Sequence, residues 1–203
     1  LLRRQDLETL ERDQKIAVFL KPDEAVDLLR SNSRAIAALS YGWVTPDHPD
    51  VTDEYLAAIR RFLDHPLGAH VVGLFWDFGS LPQKPRSEAE KKIFDEALGC
   101  MGDVYASPLG TTVLRHRTIP KRPEGHEGVY NDRPYENRGW TCFESGVSGE
   151  AIAQAQHFKG LDAVLKRLPP KVIEIDGDGP RVADADEAGS SDEGTGPRIE
   201  RVR

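Results

Sequence analysis

The sequence contains little cysteine and a single methionine. Its two cysteines, Cys100 and Cys142, are too few for a disulfide framework or a zinc site. Both fall in apolar segments with helical character, so we expect buried, reduced thiols of the kind found in cytoplasmic proteins. The one methionine, Met101, lies well inside the chain, which is therefore interpreted as a fragment of a longer polypeptide.

Long hydrophobic runs and an excess of positive charge are also missing. No apolar run reaches the roughly 18 residues that suggest a membrane span, and the first six residues carry no apolar signal core. We expect no membrane span and a cytoplasmic location. The chain has 27 Lys and Arg against 34 Asp and Glu, a net charge of -7, which argues against non-specific nucleic-acid binding.

The sequence signatures of several kinds of site are absent. It has no Gly-x-Gly-x-x-Gly dinucleotide loop, no phosphate-binding P-loop and no Gly-x-Ser-x-Gly nucleophile elbow. The six histidines show no metal-ligand spacing, so we expect neither a metal nor a resident cofactor. A local cluster of basic residues at 115–122 either meets an anionic ligand or is a solvated loop.

Strand-like and helix-like segments alternate along the chain. Apolar runs predict buried strands at residues 35–40, 71–78, 111–117 and 172–175, with 16–20 as a further candidate. Helical spacing or capping signals predict helices at residues 1–15, 22–30, 53–63, 88–105, 140–157 and 161–168. This alternation predicts an α/β fold, a flavodoxin-like (TIR-like) three-layer sandwich with a central, mostly parallel sheet.

The same pattern predicts three parts in the chain. Residues 1–34 form an N-terminal helical extension, and residues 35–176 form the α/β domain. Residues 177–203 are rich in Gly, Asp, Glu and Ser and are predicted to be disordered. Within the domain, residues 118–137 form a long polar loop, and loops of this length are usually functional or disordered.

Three motifs place polar side chains at the ends of predicted strands or at the start of a helix. They are residues 38–43 (Ala-Leu-Ser-Tyr-Gly-Trp), 74–83 (Leu-Phe-Trp-Asp-Phe-Gly-Ser-Leu-Pro-Gln) and 138–144 (Arg-Gly-Trp-Thr-Cys-Phe-Glu). An α/β domain presents its ligand site at the carboxyl ends of its strands, so we expect the motifs to meet. Glu144 follows Trp140 by four residues, which puts both side chains on one face of the helix.

The residue types leave alternatives at each position. Glu144 is either a surface glutamate or a carboxylate that stabilises a developing cation, orients a ribose hydroxyl or acts as a base. Asp77 near the end of a buried strand needs a partner, which is Arg138, a loop amide or a ligand. Ser40 and Tyr41 offer hydroxyls to a ligand, or Ser40 caps its own turn.

The tryptophans have two interpretations as well. Trp43 and Trp140 either stack on a flat ring of a ligand or pack locally. For Trp76, which ends a predicted strand, core packing is the simpler interpretation.

Together, the three motifs resemble the fungal heterokaryon-incompatibility (HET) domain. That family reads approximately as Ala-Leu-Ser-Tyr-x-Trp, Trp-x-Asp-x-x-Cys-Ile-x-Gln, Met-x-x-Ile-Tyr and Arg-x-Trp-Thr-x-x-Glu. The chain matches in order at residues 38–43, 76–83, 101–105 and 138–144, which span more than half of it. It departs from the family at residues 80–82, where Ser-Leu-Pro replaces the Cys-Ile before the glutamine.

The HET family is similar to the Toll/interleukin-1 receptor (TIR) domain, many members of which carry a Trp-Cys-x-x-Glu helix. Trp140 and Glu144 match that spacing, with Thr141 in place of the cysteine. In catalytic TIR domains this glutamate cleaves the nicotinamide–ribose bond of NAD. The resemblance thus implies that Glu144 is catalytic, that NAD is a substrate, and that Ser40, Tyr41, Trp43, Asp77, Arg138 and Trp140 line the site.

Three functional hypotheses follow. The first is a TIR/HET-like domain with NAD glycohydrolase or cyclase activity in a cell-death or immune response, in which self-association is expected. The second is a non-catalytic module that oligomerises and recruits a partner, which the altered loop at residues 80–82 favours. The third is a nucleoside-processing enzyme that cleaves an N-glycosidic bond. A cavity shared by Glu144, Trp43 and Asp77 would favour the enzymes.

Overall fold

The apolar run of the first motif forms an inner strand of a five-stranded sheet. In the computed structural model, which describes residues 1–183, β1 (Ile36–Ser40) is buried along its length. It pairs in parallel with β2 (Gly73–Phe75) and with β3 (Thr111–Arg115). β4 (Val172–Glu174) pairs in parallel with β3, and β5 (Arg181–Val182) is antiparallel to β4. The strand order is therefore β2-β1-β3-β4-β5.

Seven α-helices within residues 1–183 surround or flank this sheet. They are α1 (Arg4–Gln14), α2 (Pro22–Arg30), α3 (Glu54–Asp64), α4 (Asp77–Ser80), α5 (Glu88–Ala106), α6 (Gly139–Gln156) and α7 (Leu161–Leu165). Two short 3-10 turns lie at Pro66–Gly68 and Tyr135–Asn137. The predicted α/β class with a mostly parallel central sheet is confirmed. None of the helices in this part of the chain combines the length and apolarity that a bilayer crossing requires.

Two apolar clusters lie on opposite faces of the sheet, because successive residues of β1 point in opposite directions. Ala37 and Leu39 pack with the buried side of α3, including the fully buried Phe62. Ala38 packs with Met101 and Tyr105 of α5, against which α6 lies. Burying a large apolar side chain such as Phe62 contributes about 1.5–3 kcal/mol, so both helical layers stabilise the sheet.

The prediction of a strand over residues 71–78 was too long. Only Gly73–Phe75 pair with β1, at an edge of the sheet. The chain then turns at once, because the Trp76 carbonyl accepts the N–H of Ser80 at 2.7 Å and the Ser80 hydroxyl accepts the N–H of Trp76 at 3.1 Å. Asp77 consequently begins α4 instead of ending a strand.

The candidate strand at residues 16–20 was wrong. Its backbone does not join the sheet, and the Glu11 carboxylate accepts the N–H groups of Val18 and Phe19. Leu20 then lies against β2, and a Cβ built on Gly73 would be only 2.6 Å from Leu20 Cδ1. The segment therefore covers the edge strand with a side chain instead of pairing with it.

Two further expectations differ from the structure. Cys100 and Cys142 are exposed, because each is one helical position, about 100°, away from a buried neighbour, Met101 or Thr141. The segment predicted to be disordered from residue 177 contains β5, which adds a last strand to the sheet. The rest of that predicted tail, residues 184–203, lies outside the described residues.

Candidate functional site

A cavity of about 850 Å³ opens beyond the carboxyl ends of β1 and β2. Its volume is in the range of small-molecule sites, roughly 300–1,000 Å³. All three motifs reach it. The predicted site residues on its wall are Tyr41, Trp43, Asp77, Arg138, Trp140 and Glu144. Ser40 lies behind Glu144 and contacts its carboxylate.

Asp77 organises the wall formed by the first two motifs. One oxygen accepts the Tyr41 hydroxyl and the Phe78 N–H, both at 2.7 Å, and the other accepts the Trp43 indole N–H at 2.8 Å. Burial raises the pKa of Asp77, while these three donors lower it. The partners of this carboxylate are therefore Tyr41, Trp43 and a backbone amide, and the expected pair with Arg138 is not formed.

Glu144 presents a buried carboxyl group to the cavity. It is only 7% exposed, and its Oε2 atom accepts the Ser40 hydroxyl at 2.5 Å. Burial raises its pKa from 4.5 to about 8; the charge of Asp77 also raises it, and the hydrogen bond from Ser40 lowers it. At neutral pH Glu144 is therefore mostly a neutral acid, able to hold or release one proton close to physiological pH.

Arg138 holds the long loop against the first motif. Its guanidinium donates to the backbone carbonyls of Trp43, Asn131 and Arg133 at 2.7–2.8 Å. Burial lowers its pKa. A Cβ built on Gly42 would lie 2.6 Å from Ile119 Cδ1 and 2.7 Å from Arg138 Cζ, so the close approach of these two side chains explains the glycine in the first motif.

The three tryptophans have different surroundings. Trp76 is buried and packs edge-on against Tyr41, which fits its interpretation as a core residue. Trp43 is partly buried, and its ring meets Phe78 edge-on with centroids 5.6 Å apart. Trp140 is 56% exposed, lines the same cavity and lies beside Phe143. Trp43 and Trp140 thus both present aromatic surface to the cavity.

The cavity carries more positive than negative side chains although the chain is acidic. Its wall includes the cations Arg3, Lys84, Arg86, Arg133 and Arg138 against the acids Asp47, Asp77 and Glu144. Arg86 is held in place because it donates to the Pro82 carbonyl at 2.6 Å and lies over the Phe94 ring at 3.5 Å. Because Glu144 is mostly neutral at pH 7, the electrostatic potential of the cavity suits an anionic ligand.

Helix α1 fixes the loop of the second motif. Gln5 forms a pair of hydrogen bonds with the backbone of Gln83, at 2.7 and 3.1 Å, and Arg4 donates to the Ser80 carbonyl at 2.5 Å. Arg3, just before the helix, lies on the cavity wall. The N-terminal extension therefore contributes to the site, which the sequence pattern did not indicate.

The basic cluster at residues 115–122 is not part of the cavity wall among the described residues. Arg115 is buried in β3 and pairs with Glu174 of β4, and Arg117 pairs with Glu136. Within residues 1–183, no group of three or more His, Cys, Asp or Glu side chains is placed to hold a metal ion.

Sequence reasoning missed Tyr135, whose hydroxyl lies 2.6 Å from Ser40 Oγ. It also missed the cations Lys84 and Arg86. Tyr135 begins a short 3-10 turn and the two cations lie in a loop, and in neither does a periodic pattern indicate which way a side chain points. No protein-family model matches this chain, and no curated protein or solved structure matches it significantly.

Proposed function

We propose that the chain is a TIR/HET-like signalling domain that cleaves the nicotinamide–ribose bond of NAD, with Glu144 as the catalytic carboxylate. The observation that carries this proposal is the position of Glu144 on one cavity wall with Trp43 and Asp77. These residues come from three motifs more than 30 residues apart in the chain, and each motif resembles one of the HET family. NAD is a substrate here, and no resident cofactor is part of the proposal.

The chemistry of the cavity is compatible with this bond cleavage. Departure of nicotinamide leaves positive charge on the ribose, which a nearby carboxylate stabilises. The pyridinium of NAD is itself a cation, and an opposite charge at close range favours the ionised form of a carboxyl group. Substrate binding would therefore lower the pKa of Glu144 and ionise it where the negative charge is needed. Trp43 and Trp140 offer faces for flat rings, and Arg86 and Lys84 offer charges for the pyrophosphate.

The topology gives this proposal a fold-level argument. The order β2-β1-β3-β4-β5 supports a flavodoxin-like assignment, because flavodoxin-like sheets have the same strand order, although β5 is antiparallel here. In such sheets ligands bind beyond the carboxyl ends of the strands. The flavodoxin-like assignment and a cytoplasmic location are parts of the same proposal.

A second candidate function is a module that assembles without catalysis. Trp140 and Phe143 are 56% and 43% exposed at the start of α6, next to the cavity, and exposed aromatic side chains are common at protein interfaces. Self-association through this face is compatible with both functions, since a neighbouring copy would also cover the cavity mouth.

Product analysis separates the candidates. The protein would be incubated at high concentration with NAD, and in parallel with a purine nucleoside and a pyrimidine nucleoside, and the products resolved by chromatography. We expect nicotinamide from NAD and no free base from the nucleosides. Release of bases from the nucleosides, with no nicotinamide from NAD, would support the nucleoside-processing enzyme. No product from NAD or from either nucleoside would support the non-catalytic assembly module.

A further inference from the structure

A chain of hydroxyl groups runs from Glu144 into the protein behind the cavity. Ser40 Oγ donates to Glu144 Oε2 at 2.5 Å, and the Tyr135 hydroxyl lies 2.6 Å from Ser40 Oγ. Ser145 Oγ lies 2.9 Å from the same Tyr135 hydroxyl. Each distance is that of an O–H···O hydrogen bond, so the four groups form one continuous sequence of donors and acceptors.

This chain leads away from the ligand space. In the described part of the protein the cavity wall includes Glu144 but not Ser40, Tyr135 or Ser145. Ser40 and Tyr135 are 1% and 3% exposed, whereas Ser145 is partly exposed on α6. The hydroxyls therefore connect the buried carboxyl group to the protein surface by a path that a bound ligand does not block.

The groups around the chain allow a proton to pass along it. Burial raises the pKa of Tyr135 to about 12, and the charge of Glu144 raises it while that of Arg115 lowers it. Tyr135 thus stays neutral and both accepts and donates. On the α5 side, burial and the charges of Glu144 and Asp77 raise the pKa of Tyr105, which donates to the Leu39 carbonyl at 2.8 Å.

We propose that Ser40, Tyr135 and Ser145 form a proton relay between Glu144 and solvent. In the inward direction a solvent hydronium gives a proton to Ser145 Oγ, Ser145 passes its own to Tyr135, Tyr135 passes its own to Ser40, and Ser40 protonates Glu144. Each O–H bond that breaks is replaced by one that forms, so every hydroxyl ends neutral and one proton has moved. The same transfers in reverse order deprotonate Glu144.

The role of the relay in catalysis rests on the proposed function. Hydrolysis of NAD consumes a water molecule. As the water oxygen attacks the ribose, the ionised Glu144 would accept one of the water protons. With the substrate or product filling the cavity, the relay gives that proton an exit. The residues of the relay are positioning and proton-conducting residues, and only Glu144 touches the reacting atoms.

The relay is tested on the protein without NAD, so that its failure is separate from failure of the proposed function. A rapid pH jump from above to below about pH 8 is followed by time-resolved infrared spectroscopy. The infrared band of a protonated carboxyl group that is present in wild type and missing in Glu144→Gln measures the protonation of Glu144. We expect Tyr135→Phe and Ser145→Ala each to slow protonation by about tenfold or more, since removing one member of a proton path costs a large part of its rate.

Two variants serve as matched controls. Tyr130→Phe removes a tyrosine hydroxyl from the same loop, where it donates to the Pro120 carbonyl, and Ser107→Ala removes a serine hydroxyl that accepts the Gly110 N–H away from Glu144. Both are expected to protonate Glu144 at the wild-type rate. Protonation at the wild-type rate in Tyr135→Phe and Ser145→Ala would overturn the relay and show that Glu144 exchanges protons through the cavity. A wild-type band that does not titrate would also overturn it.

Discussion

Two carboxyl groups on one cavity wall have opposite surroundings. The Asp77 carboxylate accepts three hydrogen bonds, from Tyr41, Trp43 and the Phe78 N–H. The Glu144 carboxyl group is also buried, and the Ser40 hydroxyl donates to it. Burial raises the pKa of both carboxyl groups, to about 8 in Glu144. The three donors tie Asp77 to Tyr41, Trp43 and a backbone amide, which is a structural role. Glu144 has fewer donors and is the carboxyl group to which the proposed chemistry is assigned.

Asp77→Asn is expected to destabilise the fold and release Trp43. An amide keeps one acceptor oxygen, and its NH₂ group would face a donor, so at least one of the Tyr41 and Trp43 bonds is lost. The expected cost is about 1–3 kcal/mol in the free energy of unfolding, with a change in tryptophan fluorescence. Urea unfolding measures both. Asp47→Asn, at an exposed position of the same cavity, is the control and should leave both unchanged.

Glu144 makes the stability of the protein depend on pH in a defined direction. Its native pKa of about 8 lies above the ordinary 4.5, so between these values the unfolded state releases a proton that the native state keeps bound. The free energy of unfolding therefore falls as pH rises through this window, by up to about 1.4 kcal/mol per pH unit, and levels off above it.

Glu144→Gln removes this dependence and keeps an acceptor for Ser40. We expect the variant to gain stability relative to wild type as pH rises from about 4.5 to about 8. Urea unfolding at a series of pH values tests this, with Glu150→Gln at an exposed position of α6 as the control. Parallel curves for wild type and Glu144→Gln would show that the carboxyl group ionises as in water.

At the scale of single residues, the sequence predicted which side chains line the cavity but not which hydrogen-bond partners they have. The spacing of Trp140 and Glu144 on a helix was enough to place both on one cavity, because helix geometry is regular. The bond between Asp77 and Trp43 was not predictable, because it depends on where β2 stops and α4 begins. Tyr135 contacts Ser40 across 95 positions in the sequence, and no local pattern encodes such a contact.

The elements around the cavity depend on a few side-chain bonds to the backbone. The loop at residues 118–137 contains little regular structure, and Arg138 ties its second half to the first motif. Helix α1 ties down the loop of the second motif through Gln5. Capping signals and helical spacing predicted α2, α3 and α5 to within a few residues. Sequence periodicity overestimated β2 because an apolar run does not show where an edge strand leaves the sheet.

Arg138→Lys is expected to loosen the long loop. The planar guanidinium reaches three carbonyls at once, and a single ammonium cannot reproduce that geometry. We expect a loss of about 2 kcal/mol in the free energy of unfolding and faster amide hydrogen exchange in residues 131–138. Arg133→Lys, an exposed position of the same loop, is the control. Unchanged exchange in Arg138→Lys would mean that the loop is held by other contacts, such as the Tyr130 bond to Pro120.

At the scale of the whole molecule, the sheet brings distant motifs to one end. β1 and β2 are parallel neighbours, so the residues that follow them emerge side by side, and α6 brings Glu144 to the same place. The α/β class and this convergence were predictable from the alternation of strands and helices. The positive wall of an acidic protein was not, because Lys84, Arg86 and Arg133 come from loops whose meeting depends on the complete fold.

The most direct test of the account is nicotinamide release from NAD at high protein concentration. Wild type, Glu144→Gln and the control Glu150→Gln would be compared after each has been shown to be folded. We expect release by wild type and by the control, and a loss of at least about 100-fold in Glu144→Gln, the scale of a removed general acid–base group. Equal release by wild type and Glu144→Gln, or none by wild type even when it is tethered into oligomers, would contradict the assignment of Glu144 as the catalytic carboxylate.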